Sequence, residues 1–442
     1  MISEVPIERP SFIDLFAGCG GISLGLMKAG WHGILAIEKG EDAFATLKYN
    51  LLNPDSSKHP CFSWPAWLNQ EPISVNSFSR KYAHEVKTKL YGQIDLVAGG
   101  PPCQGFSFAG KREPNDSRNS SWLSYFHVVD LIEPTLVLLE NVEGIAVEHG
   151  RRKRLNSGPL PGRPREAFSA RIARALQKRK YTVYSRRLRA VDYGVPQRRP
   201  RYFMIGIKEK NTLRQTDPFL LLEQVRQSFL VKKGLNPKKH TTVGEAISDL
   251  LKSNGTYRDS ESPRFLKGFS STPRTAYQCL MTEHNGKKRL PDSHRFANHT
   301  PTISDRFSRM LRECPRGVSL SEKTLIGFGT KKHAFTIADA EKPAHTLTTL
   351  PDDLLHYSEP RILTAREYAR LQSFPDCFIF KGRYTTGGRR RTKETPRYTQ
   401  IGNAVPPLLA ESLGVVLLEY TSHAHILNKS IEALNEIRES TT

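Results

Sequence analysis

The residue best suited to covalent chemistry is Cys103, inside Gly99-Gly100-Pro101-Pro102-Cys103-Gln104-Gly105-Phe106-Ser107. The apolar run Ile94-Asp95-Leu96-Val97-Ala98 before it reads as a buried strand. A thiolate is a strong nucleophile, and open α/β sheets bind their ligands just outside the strand carboxyl ends. Two prolines fix φ and stiffen the loop. A Pro/Gly turn around a buried, inert cysteine would explain this one segment equally well. A second cluster begins where Phe12-Ile13-Asp14-Leu15-Phe16 runs into Ala17-Gly18-Cys19-Gly20-Gly21 and then an apolar helix. Glycines there let the backbone approach a ligand, with helix N–H groups facing it. The third glycine of the dinucleotide fingerprint is replaced by Ser23. Glu38 follows the next apolar run, where a carboxylate suits the two hydroxyls of a ribose. A structural turn followed by a surface glutamate is the plainer alternative.

Elements must hold these residues in place. Short apolar runs predict strands at 11–16, 33–37, 94–98, 135–139, 182–187 and 202–207. Helical spacing lies between them at 22–29, 42–50, 123–132 and 166–177. This alternation predicts an α/β fold with a parallel, doubly wound sheet. The segment 147–164 is basic and rich in Gly and Pro, the composition of a loop. From 211 to 360 the rhythm is lost among Thr, Ser, Lys, Arg and His, which marks a second domain or a large insertion. Helical spacing returns at 364–373 and 407–419, separated by the basic stretch 381–397.

The 442 residues exceed the usual size of one core, so two domains are expected. A hydrophobic fraction of 38% excludes a mainly disordered chain. The formal net charge of +22 calls for a polyanionic partner, nucleic acid before a membrane surface. No segment is expected to reach the roughly 18 apolar residues of a membrane span. The first ten residues have no apolar signal core, so a cytoplasmic, nucleoid-associated protein is expected. The cysteines at 19, 61, 103, 279, 314 and 377 form no C-x-x-C pair, and the histidines show no ligand spacing. Free thiols and no metal are expected.

Six motifs in a fixed order give the chain its clearest likeness. They are 12–21, Gly100-Pro101-Pro102-Cys103-Gln104, Glu140-Asn141-Val142, Gln197-Arg198-Arg199-Pro200-Arg201, the run from Arg366 to Pro375, and the run from Gln400 to Pro407. In this order they closely resemble the DNA (cytosine-5) methyltransferases of bacterial modification type, over about 11–210 and 342–420. The resemblance implies a mostly parallel, Rossmann-like S-adenosylmethionine-dependent methyltransferase domain with a smaller target-recognition domain. The expected division is 1–210 plus 398–442 for catalysis and 211–397 for target recognition and a hinge. The implied cofactor, S-adenosylmethionine, would lie over Phe16, Gly18, Cys19, Gly20 and Gly21. Glu38 would take its ribose, with Lys39, Pro102 and Asn403 lining the pocket. Cys19 on its own reads as packing.

Cytosine C5 is a poor nucleophile until something adds at C6, and Cys103 as thiolate suits that addition. Glu140, ending the apolar run Leu136-Val137-Leu138-Leu139, is placed to share a proton with ring N3. Arg201 would orient the base through O2, and Arg199 would support the loop around Cys103. The base must leave the duplex stack, at a cost of a few kcal/mol. Gln104 and Ser107 are candidates to fill the gap, though simple loop polarity explains them too. Thr346, in Thr346-Leu347, matches a family dipeptide that contacts backbone near the flipped nucleotide. Arg389, Arg390 and Arg391 lie in a longer connection than the family usually has there, either gripping phosphate or forming a solvated charge run.

The likeness has two gaps. Ser74-Val75 is the closest match to the family's adenine-binding Asp and apolar residue, and Ser121-Trp122 stands where a leucine is common. The implied partner is double-stranded DNA met by a monomer, with a cognate restriction endonuclease acting separately. Two other functions stand beside this one. An RNA cytosine methyltransferase is disfavoured by the large basic interior, which a separate sequence-reading domain would need. A silent DNA-binding homologue is disfavoured by the intact Cys103, Glu140, Arg199 and Arg201.

Overall fold

Five residues from Ser11 to Leu15 bury Phe12 against one face of a sheet and Ile13 and Leu15 against the other, the period-two signature of a strand covered on both sides. The computed structural model describes residues 9–53, 58–102, 120–146, 167–209, 216–283, 290–330, 332, 335–386 and 394–421. Six strands form its main sheet: β1 (Ser11–Leu15), β2 (His32–Ile37), β3 (Leu96–Gly99), β4 (Leu136–Asn141), β5 (Tyr181–Arg189) and β6 (Pro200–Lys208). Their spatial order is β2-β1-β3-β4-β6-β5. The first four are parallel, and β6 runs antiparallel to both neighbours. The ten residues between β5 and β6 are too few for a crossover helix, so the chain turns back on itself. The α/β, mostly parallel architecture expected from the sequence is the one observed, with this single reversed strand.

Helices cover both faces. On one side lie α1 (Gly21–Lys28) and α2 (Glu41–Leu51), with Leu24, Leu26, Leu47 and Leu51 in the core. On the other lie α3 (Val75–Lys81), α4 (Ala83–Lys89), α5 (Ser120–Ile132) and α6 (Phe168–Gln177), which bury Phe78, Val86, Tyr125 and Ile172.

The segment after the sheet is more regular than its composition suggests. It holds α7 (Pro218–Lys232), α8 (Val243–Ile247), α9 (Ala276–Thr282), α10 (Pro301–Glu313) and α11 (Glu322–Gly327). Its short strands are β7 (Thr256–Arg258), β8 (Leu266–Gly268), β9 (Thr336–Ile337) and β10 (Leu354–Leu355). Phe219, Leu222 and Leu230 of α7 join the same core as α1. A separate small core of Phe307, Met310, Cys314, Leu325, Phe335, Ile337 and Leu355 sits under α10 and α11.

The chain then returns to the main body as α12 (Ala365–Leu371), α13 (Arg397–Asn403) and α14 (Pro407–Leu418). A Cβ on Gly25 of α1 would lie 2.5 Å from Ala410 Cβ and 2.6 Å from Pro407 O, and one on Gly414 would lie 2.7 Å from Ala29 Cβ. Only glycine permits so close a helix crossing at these three contacts. The stretch Arg397–Leu418 corrects one expectation, because it is long and apolar enough to cross a membrane. Its most apolar 18 residues are 78% buried, and α14 packs in the core against α1 and α7.

Candidate active site

The strand order reverses about β1, whose neighbours are β2 and β3, so a crevice opens at their carboxyl ends. Phe16, Gly18 and Gly20 there have φ of 61°, 57° and 94°. The left-handed backbone is free for the glycines, while for Phe16 it costs on the order of 1–3 kcal/mol. Glu38 secures this turn: its Oε2 accepts from Gly18 N at 2.9 Å and its Oε1 from Gly40 N at 2.6 Å. Burial raises the Glu38 pKa, and the backbone donors work against that rise. Ile73 N donates to Glu38 O at 2.8 Å, so the approach to α3 runs beside this carboxylate. Ser74 caps α3 by accepting from Ser77 N, which makes the weak adenine match a helix start.

Of the other residues assigned to the cofactor, Lys39 is exposed, Pro102 is half-buried and Asn403 is exposed at the end of α13. A Cβ on Gly21 would meet Val405 O at 2.3 Å, which brings the turn after β1 against the last motif. Cys19 is buried with its thiol 3.7 Å from Gln400 O, and burial pushes its pKa up to about 12. Its side chain packs the last motif against the first. Sequence reasoning passed over Asp14 altogether. It is fully buried and accepts from Ser23 Oγ at 2.6 Å, and burial raises its pKa to about 7. Its Oδ1 has no partner among the described residues. A glycine-lined turn, an acid held by two backbone N–H groups and an unpaired buried carboxylate oxygen fit a polar, cationic nucleoside ligand.

Two strands from β1, at the end of β4, lies a second group. Glu140 Oε1 accepts from Arg201 Nε at 3.0 Å, with both side chains 12% exposed. Burial raises the Glu140 pKa against the pull of Arg201 and Arg199, which favours the protonated form a general acid needs. A Cβ on Gly100 would stand 3.1 Å from Glu140 Oε2, so the loop after β3 passes directly over the carboxyl. Asn141 holds that loop: its Nδ2 donates to Pro101 O at 3.0 Å and its Oδ1 accepts from Val142 N at 2.8 Å. The motif displayed Asn141, but nothing in its spacing revealed that role. Cys103, Gln104 and Ser107 lie outside the described residues, as do Arg389, Arg390 and Arg391.

Arg199 differs from its expected place. It is fully buried, and its guanidinium donates to Gly402 O (2.8 Å), Ala404 O (2.9 Å) and Leu347 O (3.4 Å). It therefore positions the last motif and the Thr346-Leu347 segment. Gln197 completes the junction by accepting from Leu347 N at 2.8 Å and donating to Gln372 Oε1 at 2.9 Å. Gln372 in turn donates to Ile401 O at 2.6 Å. Thr346 is left exposed on this segment, next to the buried Leu347. The motif from Arg366 to Pro375 is framework: every residue of α12 is buried, and Arg370 is held by Asp249 and Asp376. Among the described residues no cluster of His, Cys, Asp and Glu could hold a metal.

A family model described as C-5 cytosine-specific DNA methylase matches residues 10–419. The type II methyltransferase M.DdeI of Desulfomicrobium norvegicum is 30% identical over 438 residues, covering 95% of this chain and 91% of the relative. M.XorII of Xanthomonas oryzae pv. oryzae, also named a type II methyltransferase, is 30% identical over 425 residues, covering 92% and 84%. A crystal structure described as a prophage-encoded DNA modification methyltransferase from E. coli superposes with a TM-score of 0.61 at 23% identity, covering 92% of this chain and 98% of that one. At that identity the likeness speaks for the fold.

Proposed function

The chain belongs to the C-5 cytosine-specific DNA methylase family, and from that premise we propose how its residues methylate cytosine in a short duplex sequence. The enzyme is a DNA cytosine-5 methyltransferase. The observation that carries the mechanism is the buried Glu140–Arg201 pair beneath the loop that Asn141 fastens.

The target cytosine is flipped out of the stack, since its C6 and C5 faces are covered in a duplex. The Cys103 thiolate forms an S–C6 bond while Glu140 shares its proton with N3, so the added electron pair is held as an enamine rather than a bare anion. Arg201 sets the carboxyl in place and faces the base at O2. When bound, S-adenosylmethionine supplies an electrophilic methyl on sulfur. Glu38 would hold its ribose, with Phe16, Gly18, Gly20, Gly21, Pro102 and Asn403 around it. The enamine makes C5 the nucleophile to which the bound cofactor would supply that methyl. Loss of the C5 proton to a base and of the Cys103 thiolate from C6 then restores the aromatic ring.

Target reading is assigned to the part of 211–397 that lies beyond α9, because α7, α8 and α9 share their core with α1 while the segment under α10 and α11 has its own. Thr346 contacts DNA backbone from its exposed position. Duplex DNA places the enzyme with the nucleoid in the cytoplasm, acting as a monomer, and any cognate endonuclease works separately. A methyl-transfer assay on unmethylated genomic DNA and on transfer RNA tests the assignment. Label in DNA alone is expected, and label in RNA alone would reassign the substrate.

A further inference from the structure

The connection between the last two motifs has its ends anchored beside the carboxylate assigned to the ribose. Lys381 N donates to Thr46 Oγ1 at 2.9 Å, and Arg397 N donates to Arg383 O at 2.8 Å, which closes the base of the connection. On the returning side Thr395 is fixed at both backbone groups. Its N–H donates to Asp42 Oδ2 at 3.1 Å, and its carbonyl accepts from Gln400 Nε2 at 2.8 Å. The backbone is thereby committed to α2 and α13, and the hydroxyl is directed over Gly40. A Cβ placed on Gly40 would stand 3.1 Å from Thr395 Oγ1 and 3.0 Å from Glu38 Oε1. The two oxygens flank the same face of one glycine, within about 6 Å of each other. Thr395 Oγ1 has no hydrogen-bond partner among the described residues, and the residue is half-buried. A half-buried hydroxyl beside a carboxylate that addresses a diol is a second polar group for that diol.

We propose that Thr395 is a cofactor-pocket residue whose hydroxyl hydrogen-bonds a ribose hydroxyl of S-adenosylmethionine alongside Glu38. This rests on Glu38 as the ribose anchor. The connection thus reaches the cofactor side of the molecule through Thr395, whatever the rest of it does. The six family motifs do not include this position.

Calorimetry with S-adenosylhomocysteine, and with its 2′-deoxy and 3′-deoxy analogues, tests the assignment on Thr395→Val, Thr395→Ser and Glu38→Gln. Thr395→Val keeps the shape and should weaken S-adenosylhomocysteine about three- to tenfold. Thr395→Ser keeps the hydroxyl and should stay within about twofold of the parent chain. One deoxy analogue should show no further loss in Thr395→Val, because the contact is already missing. If Glu38→Gln weakens binding and Thr395→Val does not, the Thr395 assignment is overturned and the ribose anchor stands. If neither weakens it, the anchor itself fails and this inference with it. If Thr395→Val weakens both deoxy analogues as much as the parent ligand and Thr395→Ser fails to rescue, Thr395 is only a foot of the connection, which also overturns the proposal.

Discussion

At the scale of single residues, the account turns on a buried carboxyl held by a guanidinium. Burial raises the Glu140 pKa while Arg201 and Arg199 pull it back, and one guanidinium at 3.0 Å orients the carboxyl. Glu140→Gln retains shape and one donor but has no proton to deliver. Turnover should fall about 10²–10⁴-fold, with the S-adenosylhomocysteine dissociation constant within about twofold of the parent. Equal losses in turnover and cofactor binding would move Glu140 to the other pocket. Asn141→Ala frees the Pro101 carbonyl and loosens the loop over Glu140. Its effect should fall on turnover rather than on cofactor affinity, read by the same pair of measurements. Much of this was legible in the sequence, because Glu140, Arg201 and the glycine turn sit in short, contiguous motifs. The partners of Arg199 were not. Its three acceptor carbonyls belong to Leu347, Gly402 and Ala404, well over a hundred positions away, and only the fold brings them to β6.

At the scale of elements, the six strands could be located from their buried apolar runs to within about two residues at each end. The reversed direction of β6 was not visible in its composition. It follows from a connection too short to cross over. The helix α7 escaped for another reason. Leu220 and Val231 are 46% and 61% exposed, so apolar residues surround the helix and blur the 3.6-residue period. The α1–α14 crossing is tight enough to test directly. Gly25→Ala puts a methyl within 2.5–2.7 Å of α14 and should cost about 1–3 kcal/mol, read by chemical denaturation. At the start of α12, burial would raise the Glu367 pKa, but the bidentate Arg361 brings it down to about 2. Its folded value lies below the unfolded value of about 4.3. The stability it contributes is therefore complete above pH 4.3 and disappears as pH falls toward 2. His294 and His356 nearby are pushed down to about 4 and about 3 by burial, so their contribution is lost as pH falls from about 6.5. Glu367→Gln should destabilise the chain by about 3–5 kcal/mol near pH 7, where it leaves Arg361 buried with one carboxylate fewer. That deficit should shrink below pH 4, as melting curves between pH 7 and pH 3 would show.

At the scale of the molecule, the formal net charge of +22 is the feature that bears on DNA. Phosphate contacts should dominate affinity. With about six neutralised, the log–log salt slope of DNA binding should lie near −5. The interior segment gave up its role but not its shape, because α10 buries only Phe307 and Met310 and its small core gathers residues from 307 to 362. An exchange of target specificity with a relative should lie after α9 and before residue 338, since a wider cut removes Val243, Ile247, Tyr277, Met281 or Ala338 from the catalytic core as well as Phe219, Leu222 and Leu230. The central claim, Cys103-dependent methylation of duplex cytosine at C5, is tested most directly by bisulfite sequencing of DNA from a methylation-free host. That host would express either the parent chain or Cys103→Ser. The parent should protect cytosines within one short sequence, and Cys103→Ser should protect none, because an alcohol is a far weaker nucleophile near neutral pH. Full protection in the Cys103→Ser host, or none in the parent, would contradict the account.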